Sequence, residues 1–271
     1  MTARTASRLA EIAAAHLDPD DARRWLALLR PAVQLVPAQP GDPVVARLGG
    51  TLELPSGTDW PQWPGHGPLS FVAEVDLAAL AATGADAGIA LPVEGRLLGF
   101  CFEPSAADDA VVLPGDRDTL PGSRLLHVTG TGPAADPAVE LAAVQVLTWP
   151  DLEHPALREA GLDDLSDDFW EAIDGLREDD LGDAWGHHLG GWASPVQGPV
   201  ELEVAETRLE QASYDDVHTA EALRWRPLLQ VASDWAAGTA WEPATCLYWL
   251  VRTDGTRPPV LPDDVAFTWQ A

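Results

Sequence analysis

The chain has 271 residues, 46% of them hydrophobic, which is enough for a substantial core and argues against disorder. Asp and Glu number 43 against 16 Lys and Arg, a net charge of −27, and every one of those cations is arginine because the sequence contains no lysine. Such a field repels nucleic-acid phosphate, so DNA and RNA are excluded as expected partners, and it speeds encounter with a basic protein.

The same Ala-, Arg-, Pro- and Asp-rich composition also suits a GC-rich genome or a salt-adapted host, so the acidity has a bland reading beside the functional one. No run approaches a membrane span, and Glu11 interrupts the apolar stretch after Arg8, so the expected location is cytoplasmic, with no membrane partner. Cys101 and Cys246 each sit in an apolar run and read as buried thiols. No cofactor or metal is expected.

In chain order, residues 1–31 form an N-terminal helical hairpin. Leu9, Ile12, Ala13 and His16 recur at helical spacing. Asp18 and Pro19 restart the helix as cap and first residue. Trp25, Leu26, Leu28 and Leu29 supply its apolar side, and Pro31 ends it. Residues 32–150 read as a first α+β half, with strands expected at 33–36, 44–48, 51–54, 70–75, 96–102, 111–113, 125–128 and 139–147. Residues 151–186 form an acidic helical connector. Ser166 can cap its helix, which spans 155–177, and Phe169, Trp170, Ile173 and Leu176 give it one apolar stripe. Residues 187–271 read as a second half, with strands at 200–204, 226–231, 247–251 and 265–269. The fold class is α+β: two related halves in one unit, with antiparallel or mixed sheets flanked by helices.

The case for related halves is an ordered match. Gly49-Gly50, an apolar strand ending on Asp76, and an aromatic strand around Phe100 correspond to Gly190-Gly191, a strand followed by Asp234, and a strand around Trp249. These residues also carry a resemblance to a bacterial family of unknown function, the YwqG-like proteins. Its pattern is seen in Gly49-Gly50, Trp60-Pro61, Glu74-Val75-Asp76, His188-Leu189-Gly190-Gly191-Trp192, Pro195, Gln197, Leu228-Leu229-Gln230 and Leu247-Tyr248-Trp249. Glu74 stands where that family usually has Gln, and Ala232 where an acidic residue is common. The resemblance implies a two-lobed α+β fold in the cytosol and implies no activity or catalytic residue.

Candidate ligand-binding residues are Trp60, Asp76, His188, Gln197, Gln230 and Asp234, set where the two halves would meet. Each has a structural reading beside the functional one. Trp60 can lock its loop, and Asp76 can cap the helix that follows. His188 can bond the backbone beside the double glycine, with His187 facing solvent. Asp234 can form a turn. Adjacent histidines on an extended segment point to opposite sides and do not readily share a metal. Candidate partner-binding residues are Asp167, Asp168, Glu171, Asp174 and Glu178, which lack the glycine and oxygen spacing of a calcium loop. No nucleophile elbow, phosphate loop or HExxH motif is present. The leading expectation is therefore a non-catalytic acidic interaction module that neutralises a basic protein. The alternative is a small-ligand binder or hydrolase with its site at the seam.

Overall fold

In the computed structural model, which describes residues 2–105, 108–130, 132–181, 186–210, 216–233, 241, 244–253 and 265–271, the chain opens with two helices, α1 (Thr2–His16) and α2 (Pro19–Leu26). The Asp18 carboxylate accepts the N–H groups of Asp20 and Asp21, both at 2.9 Å, and these bonds hold its pKa below the ordinary value. The chain continues through β1 (Arg30–Pro37), β2 (Val44–Leu48), β3 (Gln62–Trp63), β4 (Gly67–Pro68), β5 (Ser70–Asp76), α3 (Leu77–Thr83), β6 (Arg96–Cys101) and a 3-10 turn at Arg117–Gly122. Then come β7 (Ser123–Val128), β8 (Val139–Thr148), α4 (Pro155–Glu159), α5 (Asp167–Leu181), β9 (His187–Gly190), α6 (Val200–Leu209), α7 (Asp216–Ala222), β10 (Trp225–Ala232), β11 (Cys246–Arg252) and β12 (Val265–Gln270).

Ten strands form one sheet in the order β12-β11-β10-β9-β1-β8-β2-β5-β6-β7. All its pairings are antiparallel, so of the two expected sheet types the antiparallel one is found. The edge strands β7 and β12 approach one another and the sheet is nearly barrel-shaped. Side chains from every strand of this sheet fill its inner face, among them Val33, Leu48, Phe100, Leu125, Leu141, Leu189, Leu229 and Trp249. Trp249 reaches across: its indole N–H donates to Ser123 Oγ at 3.1 Å on β7. Gly99 leaves it room, since a Cβ there would stand 3.2 Å from the ring.

Smaller cores lie outside the barrel-like interior, the least of them Leu202, Ala205 and Ala222 between α6 and α7. One joins α1, α2 and α5 around Trp25, Phe169, Ile173 and Trp149. Ser166 caps α5 as expected, accepting the Phe169 N–H at 3.3 Å. Another lies under α6, where Val200 and Val204 cover Trp225, Tyr248 and Leu250.

Four local expectations change. The second helix ends at Leu26, so Leu28 and Leu29 lie beyond it, and Pro31 does not stop it but sits within β1. Segment 200–204 is helical, not a strand. Residues 111–113 form no strand, and of 51–54 only Thr51 makes an isolated bridge, to Ala135. The helix expected over 155–177 divides into α4 and α5, with Gly161 at positive φ between them.

Candidate binding cleft

His154, Pro155 and α4 face the N-terminal turns of α6 across a cleft of about 580 Å³. That volume lies within the range of ligand sites, roughly 300–1,000 Å³. His154 is the cap of α4: its Nδ1 accepts the Ala156 N–H at 3.0 Å. A nitrogen that accepts carries no proton, so the ring proton sits on Nε2. Nε2 faces Glu201 Oε2 at 3.5 Å, and both residues are almost fully buried. Neither Nε2 nor Glu201 Oε1 has a hydrogen-bond partner among the described residues. Trp192 meets the His154 ring edge-on at 4.6 Å, and the Arg30 guanidinium lies 3.1 Å from the Trp192 ring centroid. Burial pushes the Arg30 pKa down to about 9, helped by Arg226 and opposed by Glu201.

The opposite wall is organised from β12. Gln270, fully buried, accepts the N–H groups of Val196 (2.6 Å) and Gln197 (3.1 Å) through Oε1. Through Nε2 it donates to Gly198 O (2.8 Å) and Glu203 Oε1 (2.7 Å). Thr268 donates its hydroxyl to Glu203 Oε2 at 2.6 Å. One glutamine thus fixes both the loop leading into α6 and the carboxylate that α6 presents to the cleft. Burial raises the Glu203 pKa above its ordinary 4.5, the Thr268 and Gln270 bonds oppose the shift, and Glu206 and Glu201 add to it. Among the described residues, four carboxylates, Glu153, Asp163, Glu203 and Glu206, line the cleft against one guanidinium, Arg158.

A carboxylate kept in this setting costs stability, which yields a test. Between the unfolded value near 4.5 and the higher folded value of Glu203, the native protein holds a proton that the unfolded chain has released. Stability therefore falls as pH rises through that window. Glu203→Gln is expected to stabilise the protein at neutral pH by about 0.5–2 kcal/mol and to flatten the slope, as read from urea midpoints across pH. A destabilised variant with an unchanged slope would contradict this.

Of the residues singled out in the sequence, Gln197 lines the cleft. Trp60, Asp76, His188 and Gln230 lie elsewhere. Trp60 donates its indole N–H to Leu69 O at 2.8 Å and meets Phe100 edge-on at 5.3 Å. Asp76 accepts the Ala79 N–H at 2.9 Å as the cap of α3 and pairs with Arg96 at 2.8 Å. His188 and Gln230 are cross-strand neighbours in the sheet, both buried. Gln230 accepts the Ser194 N–H and donates to Gly186 O, both at 3.0 Å. Asp234 lies outside the described residues. His187 does not face solvent: β9 is sandwiched between β1 and β10, and the His187 ring is buried with Nδ1 accepting the Ala232 N–H at 3.1 Å.

Asp167, Asp168, Glu171 and Asp174 are exposed on α5, and Glu178 belongs to the same helix, its side chain outside the described residues. No group of three metal-ligating side chains occurs among the described residues, and none of their helices is long and apolar enough to cross a membrane. Burial pushes the Cys101 thiol up to about 12, which leaves it unreactive.

His154, Glu201, Glu203 and Gln270 were not singled out in the sequence. The only local signal was His154-Pro155, a cap residue followed by proline at the first helical position.

Residues 46–257 match a sequence family described as a domain of unknown function, DUF1963. No curated protein matches the chain. The matched span takes in both walls of the cleft, α4 and α6, but neither the central strand β1 nor β12 with its Thr268 and Gln270.

Proposed function

The chain belongs to the DUF1963 family, a domain of unknown function, and we propose that it is a non-catalytic binding protein whose acidic cleft receives a basic group of a protein partner. The observation that carries this reading is Glu203. Its ionised form is disfavoured by burial and by two neighbouring glutamates in a cleft of about 580 Å³. A guanidinium or ammonium entering the cleft would supply the missing counter-charge, and it would bind best to the deprotonated form. The net charge of −27 would steer a basic protein toward it. Asp167, Asp168, Glu171, Asp174 and Glu178 on α5 extend the acidic surface in this reading. We place its action in the cytoplasm, as a neutraliser of a basic protein, and keep the YwqG-like assignment.

The reading includes two related halves, 32–150 and 187–271, that follow a helical hairpin at 1–31 and flank the connector 151–186. Three registers support it. Arg47 pairs with Glu74 as His188 pairs with Gln230. β5 and β10 carry irregularities at matching places, Phe71/Ala73 and Pro227/Leu229. Glu74 and Gln230 each accept a loop N–H, from Ala134 and Ser194. On this account Gly99 matches Trp249, one residue from the alignment of Phe100 with Trp249 read in the sequence.

The cleft would also suit a free cationic small molecule, which makes a two-armed test useful. A fluorescent arginine-rich peptide and free agmatine are titrated against the protein and a Glu203→Gln/Glu206→Gln variant, at low and high ionic strength. The peptide is expected to bind and to lose at least roughly tenfold in affinity in the variant. Tight agmatine binding with no gain from the peptide transfers the site to a small ligand. No binding of either, or binding indifferent to the variant, rejects the cleft as the site.

A further inference from the structure

The gap where β7 and β12 approach holds a second cavity of about 300 Å³, and two of its lining residues are Arg124 and Arg208. The geometry points to this cavity as a binding site for a small carboxylate with an apolar body, independent of the acidic cleft.

Acidic residues outnumber cations 43 to 16 in this chain, so an arginine without a carboxylate partner is conspicuous. Arg124 donates only to main-chain carbonyls, Ser123 O at 2.8 Å and Leu120 O at 3.4 Å. Arg208 donates to Val265 O at 3.2 Å and lies 5.0 Å from the Trp225 ring centroid. Neither has a carboxylate within ion-pair distance among the described residues. Arg208 is also partly desolvated, with Arg117 and Arg252 near enough to repel it and Glu221 opposing them in part. Arg117 pairs with Glu210 and Arg252 with Glu221, so those neighbours have partners of their own. A cationic cavity wall with no carboxylate in ion-pair contact among the described residues, and only Glu221 attracting Arg208 from further off, is an unfavourable arrangement that a bound anion would relieve.

The remaining surfaces select the anion. Leu125, Phe267 and the Trp249 ring make the cavity predominantly apolar. Ser123 Oγ is already committed, accepting from Trp249 Nε1 at 3.1 Å and donating to Phe100 O at 3.2 Å. A strongly hydrated ion such as phosphate would forfeit its water shell against these walls. A carboxylate on an aromatic or branched aliphatic body would bury the body against Trp249 and Phe267 and turn its oxygens to the planar guanidiniums, which match them two by two. The volume sets the size at about one to two fused rings, since it lies at the lower end of ligand clefts, roughly 300 Å³.

The test is calorimetric titration of the full chain with 2-naphthoate and with its uncharged counterpart, 2-naphthalenemethanol. Saturable binding of the naphthoate is expected, with the alcohol at least about tenfold weaker, equivalent to about 1.4 kcal/mol. Arg124→Gln, at an exposed strand-edge position, and Arg208→Lys, which keeps the charge but loses the planar fork, should each weaken naphthoate binding by several-fold. Glu203→Gln should leave it unchanged, which separates this cavity from the acidic cleft. Absence of saturable naphthoate binding, equal binding of the alcohol, or indifference to both arginine variants overturns the proposal.

Discussion

Gly190→Ala is expected to abolish stable folding, while Gly49→Ala, in the other Gly-Gly pair, is expected to be tolerated. Both glycines have positive φ, +69° and +60°, a conformation that costs an ordinary residue about 1–2 kcal/mol. The difference is space. A Cβ on Gly190 would stand 1.7 Å from Ala87 O, whereas one on Gly49 would meet only the Ala138 Cβ at 3.8 Å. The obstacle at Gly190 is main chain, which cannot swing aside. It is tied down, because Ala87 O also accepts the Gly191 N–H at 3.3 Å. We expect more than about 4 kcal/mol from Gly190→Ala, the exceptional end of single-substitution effects. Gly49→Ala should show only the conformational cost. Soluble yield and urea midpoints of the two variants decide the matter, and comparable values would refute the crossing of the 87–88 loop over β9.

Glu74 carries the second large effect. It is fully buried, with Oε1 3.0 Å from Arg47 and 3.2 Å from Arg96, and Oε2 accepting the Ala134 N–H at 3.1 Å. Glu74→Leu would remove the buried carboxylate that two largely buried guanidiniums share, leaving Arg47 only Glu140 and Arg96 only Asp76, and it would leave a buried N–H without an acceptor. The expected loss is about 3–5 kcal/mol, the range for removing one partner of a buried ion pair. Glu74→Gln keeps the shape and one acceptor oxygen, so its loss should be smaller, about 1–3 kcal/mol. At Gln230 the rule inverts. Gln230 must donate to Gly186 O as well as accept from Ser194, so Gln230→Glu removes a donor and buries a charge, and it should destabilise. Denaturant unfolding of the three variants checks the order. If Glu74→Leu proves no worse than Glu74→Gln, the ion cluster contributes little.

Much of the local structure could be read in advance because its causes are local. Asp18, Asp76 and Ser166 cap helices through the hydrogen bonds their positions implied. The apolar runs at β5, β6, β10 and β11 became buried strands. Segment 200–204 misled because Val200, Leu202 and Val204 alternate with Glu201 and Glu203 and so mimic a strand. The helix formed instead buries Val200, Leu202 and Val204 together with Glu201, because α6 is covered on several sides by β10, β12 and α7. Burial on more than one face erases the amphipathic signature on which helix recognition depends.

Composition, caps and apolar runs were therefore enough to settle the α+β class and most strand positions, since each depends on neighbours a few residues away. Closure and the cleft depend on distant partners. Gln270 serves Val196, Gln197, Gly198 and Glu203, which lie 67–74 residues earlier in the chain, and the His154–Glu201 contact spans β9 and two helices. Nothing in the residues around Gln270 or His154 records those partners. Only the antiparallel sheet, by carrying β12 beneath α6 and α4 opposite it, brought one acidic wall and one buried imidazole together.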